Sequence, residues 1–285
     1  MIYNSTQIKE ILKKEHLVIS KRRGQNFLVS QDIQKKIIEA AALSSSDEVL
    51  EIGPGLGALT EELAKKTAQV FAVEKDKGLA RFLSATLGGY PNLTLLHQDI
   101  LETNIRKFPS QGLLKVVGNL PYYITTPILG FLLEKQRQKL KEIYITVQEE
   151  VGRRFVGTKD TKEYSALTIL TNYFSSPKIL FSIPKKAFYP QPKVDSVYMR
   201  LCLLKEPPVF VHSQEQFFKI VRATFTQRRK IILNSLAHHI RERSKNDLAE
   251  ILRQSGVNYL VRPENLSLQD FAIIENTFHA KEVSL

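Results

Sequence analysis

Two short segments hold residue types at spacings that could do chemistry. The first is Glu51-Ile52-Gly53-Pro54-Gly55-Leu56-Gly57. Glycines at alternate positions let the backbone turn sharply and approach a ligand closely. Glu74 follows Gly53 by 21 residues, where an acid ending the next strand can accept both ribose hydroxyls of a bound nucleoside. That much fits either a dinucleotide or S-adenosylmethionine. Dinucleotide turns usually read G-x-G-x-x-G/A and hold a pyrophosphate. Here the pattern is G-x-G-x-G, with Glu51 two residues ahead, and S-adenosylmethionine has no phosphate to hold. Asp99, in Leu96-His97-Gln98-Asp99-Ile100, can accept a hydrogen bond from the cofactor's adenine amino group. It can equally cap a turn. Its place after a glycine turn and an acid favours the methyl donor.

The second segment is Asn119-Leu120-Pro121-Tyr122, just after the strand-like Val116-Val117. An adenine amino nitrogen is a poor nucleophile because its lone pair is delocalised into the ring. Acceptors on both of its protons favour a pyramidal nitrogen. The Asn119 side-chain oxygen and the Leu120 carbonyl suit that role. Pro121 has no N–H and fixes the chain, and Tyr122 offers a flat face for a base, worth ~1–3 kcal/mol. A sulfonium already activates the methyl group, so positioning and polarisation suffice and no strong general base is needed. A bare strand-ending Asn-Pro turn would look the same; four ordered signals in one framework argue otherwise.

The elements that must position these residues alternate along the chain. Strand patterns at 49–52, 70–73, 93–96, 114–117 and 143–147 are interleaved with helical patterns at 58–66, 77–87 and 127–135. Continuous apolar strands with helices between them predict a parallel sheet covered on both faces, in an α/β Rossmann-like domain. Strands at 178–183 and 196–204, after a helix near 165–174, are expected to add an antiparallel edge. Helices at 5–15 and 31–43 precede the sheet, the second capped by Ser30. Glu206-Pro207-Pro208 breaks the pattern, which divides the chain into residues 1–205 and a smaller, all-helical 206–285.

The net charge is +12, of which residues 1–205 carry +10. This favours a polyanionic partner, and no strongly apolar amphipathic helix supports a membrane as that partner. No apolar run approaches the ~18 residues of a membrane span. The N-terminus lacks a secretory signal, so a cytoplasmic protein is expected. The lone cysteine, Cys202, allows no intrachain disulfide and is expected to be buried and inert. The histidines show no ligand spacing, and no metal is expected.

The motifs together resemble the ribosomal RNA adenine N6,N6-dimethyltransferase family, within it the bacterial small-subunit branch, over residues 21–270. The resemblance implies S-adenosylmethionine as cofactor, with Asn26 and Leu28 of Gly24-Gln25-Asn26-Phe27-Leu28 contacting it beside Gly53, Gly55, Glu74, Asp99 and Asn119. It implies that Phe188, in Phe188-Tyr189-Pro190-Gln191-Pro192-Lys193-Val194-Asp195-Ser196, stacks on the target adenine opposite Tyr122, a base that must be flipped out of any stack. Phe225-Thr226-Gln227-Arg228-Arg229-Lys230 resembles the element opening the family's helical, RNA-recognising domain. RNA contacts are then expected from Arg22, Arg23, Lys193, Arg228, Arg229 and Lys230. The implied activity is dimethylation of two adjacent adenosines near the 3′ end of small-subunit rRNA, by a monomer acting on an immature 30S particle. The large-subunit, macrolide-resistance relatives share the cofactor and catalytic motifs. An RNA-binding assembly factor on the same scaffold is a further alternative, and a nicotinamide oxidoreductase is disfavoured by the lack of a hydride-transfer constellation.

Overall fold

The computed structural model describes residues 2–19, 24–240 and 243–281. The chain forms two compact units, one of Met1–Gly152 with Pro177–Leu203 and one of Arg153–Ser176 with Leu204–Leu285.

The first unit is built on a seven-stranded sheet. Its strands are β1 (Glu48–Ile52), β2 (Gln69–Glu74), β3 (Leu93–His97), β4 (Leu114–Asn119), β5 (Leu140–Gln148), β6 (Ser175–Ile183) and β7 (Ser196–Leu203). Their order across the sheet is β3-β2-β1-β4-β5-β7-β6. The first five run parallel, and β7 runs antiparallel to β5. Val49, Leu50 and Ile52 of β1 are at most 2% exposed, as expected for a parallel strand covered on both faces. The chain runs outward from β1 to β3, then returns to place β4 on the other side of β1. The exit of β1 beside β4 is therefore the switch point where open α/β sheets bind ligands. The register Ile52↔Gly118 sets the glycine turn next to Asn119.

Helices α1 (Ser5–Lys14), α2 (Gln31–Ala40), α3 (Thr60–Lys66), α4 (Lys77–Leu87) and α5 (Thr125–Gly130) belong to this unit. Three of them are capped by a side chain, Ser30 serving α2. Asn4 and Gln7 form a reciprocal cap on α1, and Asp76 accepts the Gly78 and Leu79 N–H groups at the start of α4. The helix expected at 127–135 is α5 continued by a π-helical turn, Phe131–Gln136. Helix α6 (Glu149–Phe155) was not anticipated. It has seven residues, about two turns, and its Gly152 packs where a Cβ would lie 2.3 Å from Val197.

At the entry end of the strands the sheet holds a buried ion network. Lys115 of β4 donates to the Ala42 carbonyl at 2.6 Å and pairs with Asp47 Oδ2 at 3.0 Å. Lys141 reaches Asp47 Oδ1 at 2.6 Å. Burial pushes the Asp47 carboxyl up, but Lys141, Ser44 and Lys115 together hold it well below its ordinary range. Cys202 is half-buried rather than buried, with Sγ 3.6 Å from Glu142 Oε1.

The second unit is helical: α7 (Ala166–Phe174), α8 (Gln214–Thr226), α9 (Ile232–His239), α10 (Lys245–Gln254) and α11 (Leu268–Ala280). The cut at 205/206 put Arg153–Ser176 with the sheet, whereas this stretch packs with the C-terminal helices. The reason is aromatic. Tyr173 and Phe174 of α7 stack within 5.0–5.4 Å of Phe217 and Phe218 of α8, and the Tyr164 hydroxyl donates to the Leu266 carbonyl at 2.8 Å. Strand-helix alternation along the chain cannot reveal that a segment between two strands serves another core.

Candidate active site

The glycine turn leaves β1 with Gly53, Gly55 and Gly57 at φ of 68°, 61° and 85°. These left-handed values disfavour any residue with a Cβ. At Gly53 a Cβ would meet nothing within 4 Å, so the space over this residue opens into a cleft. Glu74, ending β2, is buried beneath it. Its Oε2 accepts the Gly55 N–H at 3.1 Å and its Oε1 the Asp76 N–H at 2.8 Å. Each oxygen keeps a further lone pair for a ligand hydroxyl. Burial raises the Glu74 pKa despite these two bonds.

Glu51 was noted in the sequence only for its spacing, and the structure makes it a cleft residue. It is 1% exposed, lines the cleft, and its Oε2 has no hydrogen-bond partner. Burial, only partly offset by the Thr60 hydroxyl and reinforced by the nearby Glu74 charge, pushes its pKa up to about 8. A buried carboxylate without a counter-charge is costly, so the position favours a cationic ligand group. A glutamate in an otherwise apolar, doubly covered strand was the available signal.

Asp99 follows β3 and lines the same cleft. Its Oδ1 accepts the Leu101 N–H at 3.0 Å and its Oδ2 pairs with Lys75. The turn cap is therefore present in a side chain that also lines the cleft. Burial raises its pKa, but Lys75 and Leu101 outweigh this and hold it low.

At the exit of β4, a Cβ on Gly118 would lie 2.9 Å from the Ile52 carbonyl, so only glycine lets β4 and β1 approach this closely before Asn119. The Asn119 amide nitrogen donates to the Asn26 carbonyl at 2.8 Å, which leaves its side-chain oxygen as an acceptor. The Leu120 N–H donates to the Thr146 carbonyl at 3.3 Å, tying the segment to β5. The Pro121 carbonyl accepts from the Ile124 N–H and the Thr125 hydroxyl, both at 3.1 Å. The Tyr122 hydroxyl lies 2.7 Å from Ser196 Oγ, and burial raises its pKa.

A two-residue antiparallel ribbon brings the remaining predicted residues in. Phe27 pairs with Tyr189 and Leu28 with Phe188. Asn26, Leu28, Gly53, Gly55, Glu74, Asp99, Asn119, Leu120, Pro121, Tyr122 and Phe188 all line one cleft. Phe188 is 3% exposed, so its ring is a wall set into the core rather than a projecting platform. Tyr3 and Ile8, from the first residues and α1, add a wall for which the sequence offered no functional signal.

The basic residues are distributed differently. Arg22 and Arg23 lie outside the described residues. Lys193 is exposed and does not line the cleft. Arg228, expected to bind RNA, is instead committed inside the helical unit. It pairs with Glu264 at 3.2 Å and donates to the carbonyls of Thr161, at 2.9 Å, and Lys162. Its fork joins three acceptors on two separate segments, so it serves as a staple. Arg229 and Lys230 remain exposed.

Known proteins resemble this chain in sequence and in fold. Residues 17–278 match the model of the family described as ribosomal RNA adenine dimethylase. A curated relative from Alkaliphilus oremlandii, named Ribosomal RNA small subunit methyltransferase A, is 39% identical over 98% of this chain and 99% of its own length. Among solved structures, a dimethyladenosine transferase from Plasmodium falciparum is 27% identical with a TM-score of 0.73, covering 90% of this chain and 98% of that one. The 23S rRNA methyltransferase ErmE is 29% identical with a TM-score of 0.63, covering 89% and 100%. A glycine turn over two buried carboxylates, an Asn-Leu-Pro-Tyr exit beside it and a family match along nearly the whole chain agree: the chain belongs to the ribosomal RNA adenine dimethylase family and is an S-adenosylmethionine-dependent rRNA adenine dimethyltransferase.

Proposed function

We propose that the chain methylates small-subunit rRNA, placing two methyl groups on the amino nitrogen of each of two adjacent adenosines near the 3′ end. The observation that carries the chemistry is the convergence of Glu51, Glu74, Asn119, Tyr122 and Phe188 on one cleft. The choice of RNA rests on the curated relative's small-subunit name and on the likeness of the Phe188 and Arg229-Lys230 segments to that branch of the family. The adjacency and the count rest on that likeness alone.

The residues present fit the cofactor. The orphaned Glu51 Oε2 suits an ammonium group, the Glu74 oxygens suit ribose hydroxyls, and the open space over Gly53 accommodates a chain between them. Asn26, Leu28, Gly55 and Asp99 complete that side of the cleft. When bound, S-adenosylmethionine supplies a methyl group activated by its sulfonium. The protein's part is to hold the adenine amino group in line with it. The Asn119 side-chain oxygen and the Leu120 carbonyl accept the two amino protons, and Pro121 fixes that carbonyl. Tyr122 and Phe188 grip the ring from either side. Arg22, Arg23, Lys193, Arg229 and Lys230 hold phosphates, which makes binding salt-dependent.

The partner in this reading is an immature 30S particle, approached by a monomer in the cytoplasm. Among the described residues no helix is long and apolar enough to cross a membrane. Labelled methyl transfer to unmethylated small and large subunits, offered separately, followed by mapping of the modified bases, tests it. The expected product is a pair of adjacent dimethyladenosines near the 3′ end. Label confined to large-subunit rRNA supports an ErmE-like target instead. Tight binding without transfer supports an assembly factor.

A further inference from the structure

The two aromatic walls of the cleft come from segments 66 positions apart, yet each is tied to one of two consecutive residues. Ser196, the first residue of β7, is fully buried and shares a hydrogen bond with the Tyr122 hydroxyl at 2.7 Å. Asp195 Oδ1 accepts the Lys185 N–H at 2.8 Å. Lys185 opens the 3₁₀ turn Lys185–Ala187 that delivers Phe188 to the cleft. The pair is itself anchored. The Asp195 carbonyl accepts the Glu149 N–H at 3.1 Å, and Ser196 stands opposite Gln148 at the end of β5. The Asn119–Tyr122 segment refers to the same strand end through the Leu120 N–H and Thr146 carbonyl. Both walls are therefore gauged from the exit of β5, one through a serine hydroxyl and one through an aspartate carboxylate.

A tyrosine used only for its face needs no hydroxyl partner, and a buried serine next to it needs one. The bond between them fixes the far end of the Tyr122 ring, the end that packing at Cβ controls least. The Asp195 bond does the same for the turn that carries Phe188.

We propose that Asp195 and Ser196 are positioning residues that set the gap in which the target adenine is held, Ser196 by fixing the Tyr122 ring and Asp195 by fixing the Phe188 turn. This rests on the reading of Tyr122 and Phe188 as base-stacking walls. Neither residue touches the reacting atoms; both act through an aromatic ring.

Single-turnover methyl transfer, together with emission from small subunits carrying 2-aminopurine at the target position, tests the proposal. Ser196→Ala and Tyr122→Phe remove opposite ends of one hydrogen bond. Each should slow transfer about 5- to 10-fold, the worth of one such bond. Each should brighten the 2-aminopurine signal as stacking loosens, and leave cofactor affinity unchanged. The double variant should be no slower than the slower single, because the second change removes nothing further. Ser196→Thr, which keeps the hydroxyl, should recover most of the rate. Asp195→Ala should slow transfer by a similar factor, and Asp195→Asn, which keeps an acceptor, should not. Tyr122→Ala is the reference: full turnover there defeats the stacking reading itself. Slow Tyr122→Ala with unchanged rate and emission in both Ser196→Ala and Tyr122→Phe overturns the role of Ser196 and leaves stacking intact. Multiplying losses in the double variant overturn it too, as does a loss of cofactor affinity with unchanged emission. Unchanged turnover in Asp195→Ala overturns the role of Asp195.

Discussion

Strands β1 and β4 lie side by side, and their two ends treat buried polar groups in opposite ways. At the entry end, Asp47 and Lys115 are both buried, and both are paired. Asp47 has two lysines, and Lys115 also has two backbone carbonyls. At the exit end, four residues further along each strand, Glu51 is buried with an oxygen left unpartnered, and Asn119 spends only its amide nitrogen. The same sheet thus drives one carboxyl down and the other up to about 8. One end is completed by the fold. The other is left for a ligand to complete, and the stability forgone there is the cost of a prepared site.

The contrast can be broken most severely from the entry end. Asp47→Ala leaves the buried ammonium of Lys115, on β4, without its nearest carboxylate and should cost about 3–5 kcal/mol. Chemical denaturation measures it, and the folded fraction should still bind cofactor normally. At the exit of the same strand, Asn119→Ala should leave the melting midpoint nearly unchanged. It should slow methyl transfer about 10²- to 10³-fold, as for other lost polarising contacts, with cofactor affinity retained. Near-normal methylation by that variant would defeat the proposed role of Asn119.

Glu51 and Asp47 should sharpen the comparison through pH. The folded-state pKa of Glu51 lies above its ordinary 4.5, so the folded chain keeps a proton that the unfolded chain releases. Cofactor-free stability should therefore fall as pH rises from about 4.5 towards 8, by up to about 1.4 kcal/mol per pH unit. Asp47 acts in reverse. Its folded pKa is depressed, so its contribution is present above the ordinary 3.8 and is lost as pH falls through the folded value. Glu51→Gln should flatten the first slope, stabilise the cofactor-free protein by about 1–3 kcal/mol near pH 7.5, and weaken cofactor binding about 10-fold or more. Denaturation series and calorimetry read both effects. An unchanged slope would mean that Glu51 is not the group responsible.

The smallest effect extends the contrast to the helical unit. Arg228, which is paired, should cost stability when changed to alanine. Exposed Arg229 should instead lower RNA affinity modestly and reduce the salt dependence by about one counterion. Equal effects of the two on RNA binding would remove the distinction.

The first five strands and the polar groups at their exits were legible in the sequence, because buried parallel strands announce themselves as apolar runs and their exits as glycine, acid and proline. The sequence did not show which core Arg153–Ser176 serves. That depends on rings in α7 meeting rings in α8 roughly forty residues away in sequence. It also did not separate Arg228 from Arg229. Two adjacent arginines are alike until Glu264 and the 161–162 carbonyls take one of them. Glu51 escaped as a site residue because an acid before a glycine turn carries no sign of whether a partner awaits it.

The ribbon of Phe27-Leu28 with Phe188-Tyr189 bears on how the chain folds. Leu28 and Phe188 are 160 positions apart. Closing a free loop of that length costs about 4–5 kcal/mol, more than two pairs of residues can return. The ribbon can therefore persist only after the sheet has already brought its halves together. The cofactor segment and the base-holding loop meet last, so a chain with its strands assembled still lacks a finished cleft, and competence to bind should appear as a late, separable step of folding.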